Sequence, residues 1–373
     1  MTRIEAGGPG PRPASAGAPR IWLLSGFRAG DNTQLRVLAE TLGWPFETKR
    51  LAYRRFELLP NLLLGATLAG LDRRRSDPLD PPYPALVISA GRRNEPVARW
   101  IRARSPGTRL VHLGRPWAPL DAFDLLVTTP QYSLPRRPNV LHNGLPLHGV
   151  TAARRRRRPS SGGRVRRAAA AWVALLVGGS AGPWTFGAAA GARLGRAASA
   201  LAGGGSLLVT TSARTDPAGL AALRQAIDRP CHLHLWQKDA AENPYFGYLA
   251  LADALVVTGD SISMLTESCA TGRPVHIFDL GEGPLSMRAA IGAARGRDAW
   301  IGPDLRATLF LSSNRCFPER WRRDTRVLLQ GTVAAGRACW LGDPAPAGAP
   351  AGPLPDLARA AAAVRALFPD AAA

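Results

Sequence analysis

The sequence predicts an α/β protein built from two Rossmann-like domains, and three observations support this prediction. Short apolar runs alternate with segments of helical pattern along most of the 373 residues, which indicates parallel sheets covered by helices. The apolar runs are continuous, as in strands that are buried on both faces. The strand–turn–helix pattern begins again at Trp172, and the length suits two domains that each bury a core.

Composition sets the predicted domain boundaries. Residues 1–19 are rich in Gly, Pro and Ala and lack the apolar core of a signal peptide, so we expect a disordered tail. The basic run at 151–167 is predicted to be an interdomain linker, either a solvated charge run or a segment attracted to nucleic acid or lipid headgroups. The predicted domains are 20–150 and 168–343. Residues 344–373 form a Pro/Gly-rich tract and a final helix, Leu357 to Leu367, which packs on the second sheet or crosses to the first domain.

The chain is strongly basic, with a formal net charge of +21. Nearly all of this charge is Arg, since Lys49 and Lys238 are the only lysines, and a GC-rich genome also produces such a bias. A basic surface attracts anionic lipid headgroups or nucleotides. We do not expect nucleic acid to be the specific partner, because the arginines lack interleaved aromatic residues and no nucleic-acid-binding module is recognisable.

Cysteine spacing and hydropathy indicate the compartment. The 4 cysteines show no CxxC or zinc-type spacing, which is typical of reduced thiols in a cytoplasmic protein. No apolar run reaches the roughly 18–20 residues that span a bilayer. The apolar segment from Glu57 to Leu71 is flanked by arginines and is predicted to be a helix packed on the sheet. The alternative is a helix that lies on an anionic membrane surface, which would place the protein at the inner face of the membrane.

The first predicted strand, Arg20 to Ser25, leads into a glycine-containing turn and a helix from about Asn32 to Leu42. In the turn, Gly26 and Gly30 permit close approach of the backbone to a ligand, although the pattern is not a full GxGxxG. Asp31 is either the N-cap of the helix or a general base at the mouth of a cleft. The other strands predicted in this domain are Ala85 to Ser89, Leu110 to Leu113 and Leu125 to Thr128.

Three turns are predicted to lie at the same end of the second sheet, because each follows a strand of the same direction. They are Gly178 to Gly182, Thr211 to Thr215, and Gly259 to Ser261. Small residues, hydroxyls, backbone amides and one guanidinium together suit a diphosphate. The candidate binding residues in these turns are Gly178, Gly179, Ser180, Thr211, Ser212, Arg214, Asp260 and Ser261.

The first helix of the second domain is predicted to begin near Pro183, which suits the first helical turn, and to end near Leu201. Gly187, Gly191 and Gly195 recur along it every four residues, which indicates close packing of this helix against the sheet. The strands predicted in this domain are Trp172 to Val177, Ser206 to Thr211, His232 to Leu235, Ala254 to Thr258, and Val275 to Phe278.

The segment from Leu249 to Leu280 carries the strongest pattern in the chain. Asp260 or Ser261 is expected to cap the helix that follows the polar turn. Glu267 on that helix is placed to accept hydrogen bonds from sugar hydroxyls. An ordinary strand–turn–helix unit with a routine cap explains the same spacing.

The histidines are too scattered along the chain to form a metal site, and no metal site is predicted.

Several longer motifs resemble bacterial members of the mitochondrial-fission Elm-type family. They are GFRAGDNTQ at 26–34, SAGRRNEP at 89–96, HLGRP at 112–116, GGSAGPWTF at 178–186, TSART at 211–215, and a long motif from Asn243 to Val275. The resemblance covers roughly residues 20–330. The last motif is also similar, more distantly, to the donor-binding region of GT-B glycosyltransferases.

This resemblance implies a GT-B-like arrangement in which the two domains face each other across a cleft and bind a nucleotide diphospho-sugar, with UDP as the expected nucleotide. The match places Glu267 at the ribose and the amides of Asp260 and Ser261 at the diphosphate. Asp31 stands where the related cell-wall glycosyltransferase has a Gly-Gly-His pattern, and it would deprotonate an acceptor hydroxyl.

Two functions follow from the resemblance. The first is transfer of the sugar to a membrane-associated or cell-envelope acceptor, with no cofactor and no metal, because helix dipoles, Ser212 and Arg214 would stabilise the leaving diphosphate. The alternative is a non-catalytic adaptor that uses the same fold as a scaffold for a membrane surface or a protein partner.

Overall fold

The computed structural model describes residues 18–26, 28–54, 65–150, 171–238, 243–289, 307, 309–310, 321–344 and 354–371. The chain divides into two compact units, residues 1–143 with 355–373, and residues 144–354. In the described residues each unit contains one six-stranded sheet, and every strand pair in both sheets is parallel. The predicted α/β class with two Rossmann-like domains is confirmed.

The first sheet has the strand order β2-β1-β3-β4-β5-β6. Its strands are β1 (Ile21–Ser25), β2 (Phe46–Arg50), β3 (Leu86–Ala90), β4 (Arg109–Leu113), β5 (Leu125–Thr128) and β6 (Val140–His142). Helix α1 (Ala29–Leu42) follows β1, and helix α2 (Asn94–Arg104) follows β3. Short 3-10 turns lie at Leu120–Ala122 and Pro130–Tyr132. The register places Ile21 of β1 beside Phe46 on one side and Leu86 on the other.

Burial explains why the central strands are so apolar. All five residues of β3 are buried, as expected for a strand covered on both faces. Strand β2 lies at one edge of the sheet, and its sequence FETKR is mostly polar and partly exposed. This strand was missed in the prediction because its one buried side chain, Lys49, is charged. The Lys49 ammonium lies 4.4 Å from the centroid of the Trp22 ring and 2.6 Å from Glu47 Oε1.

The second sheet has the strand order β12-β11-β10-β7-β8-β9. Its strands are β7 (Trp172–Leu176), β8 (Ser206–Thr210), β9 (Cys231–His234), β10 (Ala254–Thr258), β11 (Val275–Phe278) and β12 (Cys339–Trp340). The helices of this unit are α3 (Ala188–Ala202), α4 (Pro217–Ala226), α5 (Tyr245–Leu251), α6 (Ile262–Cys269) and α7 (Thr325–Ala334). A 3-10 turn lies at Gly283–Leu285.

Helices α3 and α4 pack closely because glycine removes the side chains between them. A Cβ atom on Gly191 would lie 2.0 Å from the carbonyl oxygen of Gly219, and one on Gly195 would lie 2.8 Å from Ala226 Cβ. A Cβ atom on Gly187 would meet nothing within 4 Å. We predicted that these glycines allow the helix to pack closely against the sheet. This prediction is wrong, because the close contact at Gly191 and Gly195 is with helix α4.

The final helix, α8 (Asp356–Arg365), belongs to the first unit. It packs against α1, and Arg365 Nη2 donates hydrogen bonds to the carbonyl oxygens of Thr41 at 2.8 Å and Leu42 at 3.3 Å. These carbonyls end α1, where an arginine is a favourable partner. The Phe368 ring meets the Trp44 ring at a centroid distance of 5.4 Å. The chain therefore returns to its first unit after completing the second sheet.

Two predicted helices differ from the structure. Residues 65–71 of the helix predicted from Glu57 to Leu71 are not helical, because Gly65 has φ +61° and Leu71 forms an antiparallel bridge with Tyr53. Residues 55–64 lie outside the described residues. The helix predicted from Pro183 begins at Ala188 instead, because Gly182 has φ +59° and the chain first makes a turn with a bridge between Ala181 and Trp184.

Two further predicted segments, the tail at 1–19 and the linker at 151–167, lie almost wholly outside the described residues. Strand β6, strand β12 and helix α7 were not predicted. Strand β12 contains only two residues, so its sequence carries no periodicity that could reveal it.

Candidate functional site

The three predicted turns follow three neighbouring strands of the second sheet. Strand β7 is central, with β8 on one side and β10 on the other. The chain runs from β7 outward through β8 and β9, and then returns to place β10 against the other side of β7. Such a switch point opens a crevice at the carboxyl ends of the two strands, and ligands of open α/β sheets bind there. The turns after β7, β8 and β10 are called the rim below.

The turns after β7 and β10 are hydrogen-bonded to each other. Gly178 N donates to Thr258 Oγ1 at 2.8 Å, and Gly179 N donates to Asp260 Oδ2 at 3.0 Å. A Cβ atom on Gly178 would lie 2.4 Å from Asp260 Oδ2. Glycine at this position is therefore required for the two turns to approach, which is a structural reason for the Gly-Gly pair beside any role in binding.

The turn after β8 closes on the same glycine from the other side. Ser212 Oγ donates to the Gly178 carbonyl at 2.5 Å, and Thr215 Oγ1 donates to it at 2.6 Å. A Cβ atom on Gly179 would lie 2.0 Å from the carbonyl oxygen of Arg214. The three turns thus form one connected structure with Gly178 and Gly179 at its centre.

Asp260 and Arg214 form an ion pair within the rim. Arg214 Nη2 lies 2.9 Å from Asp260 Oδ2, and the Asp260 side chain is 0% exposed whereas that of Arg214 is 45% exposed. Burial raises the pKa of the Asp260 carboxyl, and the Arg214 guanidinium and the Thr258 and Gly179 hydrogen bonds oppose that shift. Asp260 Oδ1 has no hydrogen-bond partner among the described residues. Asp260 is therefore an organiser of the rim, which holds the Gly179 amide and the Arg214 guanidinium in place.

The remaining predicted residues of the rim have local partners. Ser261 is the N-cap of α6 without a side-chain capping bond, and its amide donates to the Thr258 carbonyl at 3.1 Å. Ser180 Oγ accepts from Phe186 N at 3.0 Å. Thr211 Oγ1 accepts from Trp236 N at 2.8 Å, which directs this hydroxyl toward the chain beyond β9. Arg214 Nη1 lies 3.4 Å from the Ser180 carbonyl oxygen.

Glu267 lies on α6, the helix that starts at the rim, and it is half-buried. The Tyr245 hydroxyl of α5 donates to Glu267 Oε2 at 2.5 Å. Burial, followed by the negative charge of Glu267, raises the pKa of Tyr245 well above its usual value. The tyrosine therefore remains a hydrogen-bond donor and fixes the orientation of the carboxylate. Tyr245 was not predicted as a site residue, although it lies in the motif that begins at Asn243.

In the first unit, Asn32 closes the turn after β1. Its side chain accepts a hydrogen bond from Gly26 N at 3.1 Å and donates one to the Gly26 carbonyl at 2.8 Å. Helix α1 has Arg28 as its N-cap, without a side-chain capping bond, and Gly30 and Asp31 lie in its first turn. Asp31 is therefore not the N-cap, and that alternative is wrong.

The Asp31 carboxylate lies at the switch point of the first sheet, between β1 and β3. A Cβ atom on Gly91, which follows β3, would lie 3.2 Å from Asp31 Oδ2, and Gly91 has φ +72°. The Asn94 side chain joins the two strand ends there, because its Nδ2 donates to the carbonyls of Leu24 at 2.7 Å and Ala90 at 2.9 Å. Asn94 is buried, and the sequence alone did not single it out.

Most of the chain matches one protein family. The family model for mitochondrial fission ELM1 matches residues 29–294, which is more than half of the chain. The chain belongs to the mitochondrial fission ELM1 family. This family match includes the switch point of the second sheet and all of the candidate site residues except Gly26.

Two relatives are similar to this chain in sequence. Uncharacterized protein RP120 of Rickettsia prowazekii is 21% identical over 293 residues, which cover 69% of this chain and 82% of RP120. Mitochondrial fission protein ELM1 of Arabidopsis thaliana is 40% identical over 75 residues, which cover 20% of this chain and 17% of the plant protein.

Among solved structures, MurG of Acinetobacter baumannii is similar to this ELM1-family chain with a TM-score of 0.37 and 13% identity, over 87% of this chain and 96% of MurG. The UDP-GlcNAc 2-epimerase of Neisseria meningitidis, solved with UDP-GlcNAc, has a TM-score of 0.42 and 11% identity, over 84% of this chain and 98% of the epimerase.

Within the described residues, no helix has the length and hydropathy of a membrane span.

Proposed function

We propose that this ELM1-family protein binds a UDP-linked sugar at the rim of its second unit and transfers the sugar to an acceptor hydroxyl. The observation that carries the proposal is the convergence of three turns on Gly178 and Gly179 at the switch point of the sheet. A diphosphate at this rim would meet the amino-terminal end of α6, which favours negative charge.

The charges of the rim suit a diphosphate. Asp260 is a carboxylate, but it is buried and paired with Arg214, so the pair is neutral as a whole. The half-exposed Arg214 guanidinium would stabilise the diphosphate through charge-assisted hydrogen bonds, and the Ser212 hydroxyl lies in the same turn. Negative charge that develops on the leaving UDP would be stabilised by the same groups.

The transfer step that we propose is a direct displacement. The acceptor hydroxyl attacks the anomeric carbon, the bond from that carbon to the diphosphate oxygen breaks, and UDP leaves with the electron pair. The hydroxyl proton passes to the Asp31 carboxylate, which acts as general base. The acceptor is a membrane-associated or cell-envelope molecule in this proposal.

Replacing Glu267 by Ala is expected to weaken UDP binding roughly tenfold or more, because the carboxylate that would accept the ribose hydroxyls is removed. Isothermal titration calorimetry measures the change. Glu282→Ala is the matched control, since the Glu282 side chain is 70% exposed and pairs with Arg193. If UDP does not bind the wild-type protein at millimolar concentration, the donor site that we propose does not exist.

Replacing Asp31 by Asn is expected to slow sugar transfer by roughly a hundredfold or more while UDP affinity stays at the wild-type value. The assay measures UDP released from a UDP-sugar in the presence of a bacterial lipid extract. Asp121→Asn serves as control, because the Asp121 side chain is 78% exposed and pairs with Arg137. An unchanged rate in the Asp31 variant removes this residue from the mechanism.

The family match supports a second candidate function. Its description and the name of the plant relative both refer to mitochondrial fission. The second function that we propose is a non-catalytic adaptor that holds a membrane surface or a protein partner. Co-sedimentation with anionic liposomes, without any stabilisation by nucleotide sugars in a thermal-shift panel, would favour this adaptor. Stabilisation by a UDP-sugar without liposome binding would favour the transferase.

A further inference from the structure

Strand β9 lies at one edge of the second sheet, where it pairs only with β8 in the described residues. Its even-numbered residues turn their main-chain groups toward the β8 chain through three hydrogen bonds: Leu207 N donates to the Pro230 carbonyl at 2.9 Å, Thr211 N to the His234 carbonyl at 3.3 Å, and Trp236 N to Thr211 Oγ1 at 2.8 Å. Main-chain groups alternate in direction along a strand, so those of Cys231, Leu233 and Leu235 point away from β8. In the part of the chain that the structure describes, these outward groups have no hydrogen-bond partner.

Strand β9 differs from the other strands that lie at sheet edges in the described residues. Strand β2 carries three charged residues, Glu47, Lys49 and Arg50, whereas β6 contains three residues and β12 contains two. Charge and short length are two ways in which proteins keep an edge strand from pairing with another chain. Strand β9 has four residues, CHLH, and none of them is Asp, Glu, Lys or Arg. This edge therefore lacks the usual protection against pairing.

Apolar side chains are exposed along the same edge. Leu235 and Trp236, directly after β9, are 41% and 43% exposed, and they are two of the three large hydrophobic side chains that are exposed in the described residues. Cys231 is also exposed, and Leu233 is only partly buried against the core. Side chains alternate between the faces of a strand, so Cys231, Leu233 and Leu235 share one face. Covering this face would remove apolar surface from water.

We propose that β9 binds a second copy of this chain, through antiparallel pairing of the two β9 strands about a two-fold axis at Leu233. In this register Leu233 faces Leu233 of the second copy, and Cys231 faces Leu235. The outward main-chain groups of both copies then meet, because all three of these residues are odd-numbered. Residues of a hydrogen-bonded antiparallel pair exchange both of their bonds, so the interface gains about six hydrogen bonds. The same surface serves both copies, as in most homodimers.

The charges beside β9 favour a second copy as the partner. Asp228 lies as far before Leu233 as Lys238 lies after it, so the register brings each Asp228 opposite Lys238 of the second copy. Both residues are exposed. The chain as a whole has a formal net charge of +21, whereas residues 228–238 contain one acidic and two basic side chains, those of Asp228, Arg229 and Lys238. The edge is thus nearly neutral, and opposite charges meet at both of its ends.

Sedimentation velocity of the full-length protein tests the pairing, at concentrations up to roughly 100 µM, where a dimer of micromolar Kd is largely formed. Leu235→Lys is expected to raise the Kd of the dimer roughly tenfold or more, because it places a charge on the apolar face of each copy. Ala362→Lys is the matched control, since it adds the same charge at an exposed position of α8 in the first unit. This control is expected to dimerise like the wild-type protein.

Three results of the sedimentation experiment overturn the proposal. The first is a wild-type protein that stays monomeric up to that concentration, whether or not the edge takes a different partner. The second is equal dimerisation of the Leu235→Lys variant and the wild-type protein, and the third is an equal loss in the Ala362→Lys variant. Absence of UDP binding overturns only the donor site, because no residue changed here belongs to the rim.

Disulfide cross-linking tests the register. In Leu235→Cys the introduced thiol faces Cys231 of the second copy, whereas the same two positions within one chain are about 13 Å apart, too far for a disulfide. Mild oxidation is expected to give a covalent dimer, and mass spectrometry is expected to find position 235 linked to Cys231. Leu235→Cys combined with Cys231→Ser is expected to stay uncrosslinked. A dimer linked through position 235 of both copies, or no cross-link in the single variant, overturns the register.

Discussion

His112 is a buried residue whose protonation makes the stability of the protein depend on pH. It lies on β4, fully buried, with its Nδ1 atom 2.9 Å from Ser89 Oγ and its ring 5.2 Å from the Phe123 ring. Its Nε2 atom has no hydrogen-bond partner among the described residues. Burial lowers the pKa of His112 from 6.5 to about 3, because a charged imidazole would lose its solvation in the core.

This depressed pKa predicts a loss of stability in mild acid. Between pH 6.5 and pH 3 the unfolded chain binds a proton at this position and the folded chain does not, so stability falls as the pH falls. The contribution approaches about 1.4 kcal/mol for each pH unit. Urea denaturation at pH 7.5, 6.0 and 5.0 is expected to give a smaller pH slope for His112→Gln than for the wild-type protein. Identical slopes would show that His112 is not the group responsible.

The residues that are hydrogen-bonded to the predicted site residues were the hardest to predict from the sequence. Thr258 and Thr215 bind Gly178 in the rim, and Tyr245 binds Glu267, but hydroxyls of this kind are common at strand ends and on helices. Their partners are 80, 37 and 22 residues away in the chain, respectively. The pattern of the turns indicated the location of the site, and only the folded structure shows which side chains support it.

At the scale of elements, the strands were predicted well because both sheets are parallel. Their central strands are apolar on both faces, so β3, β7 and β10 are recognisable in the sequence as continuous apolar runs. Helix starts were predicted less well. Pro183 suited a first helical turn, yet the backbone at Gly182 turns left-handed and α3 starts later. The edge strand β2 was missed because a partly exposed strand does not need an apolar sequence.

The contact between α3 and α4 gives a prediction at this scale. Gly191→Ala places a methyl group against the Gly219 carbonyl, so the helices must separate, and we expect a loss of roughly 1–3 kcal/mol in the free energy of unfolding. Chemical denaturation measures the loss. Gly187→Ser is the matched control, because this residue of the same series is the N-cap of α3 and has open space around it. Equal stability of the Gly191 variant and the wild-type protein would contradict the packing.

At the scale of the whole molecule, the first unit is built from both ends of the chain. Helix α8 contacts α1 only after the second sheet has been completed, and Asn143 Nδ2 donates to the Asp356 carbonyl at 3.2 Å where the two segments of the unit meet. Contacts between such distant residues close a long loop, and closing it lowers the conformational entropy of the chain. The sequence left open whether the final helix stays with the second sheet or joins the first unit, because its Ala-rich pattern fits both.

In the described residues, each sheet has one switch point, and turns that are hydrogen-bonded to each other or to neighbouring strand ends lie at it. In the second unit these turns meet at Gly178 and Gly179, and in the first unit Asn94 joins the ends of β1 and β3. The rim and the Asp31 carboxylate therefore lie at the carboxyl edges of two different sheets.

Hydrogen exchange of backbone amides, with and without UDP, tests the donor site most directly. If UDP binds at the rim, exchange is expected to slow in residues 178–182, 211–215 and 259–267, with no comparable change in the first unit. Uniform exchange in the presence and absence of saturating UDP, or protection confined to other parts of the chain, would contradict the claim that the three turns form a diphosphate-binding site.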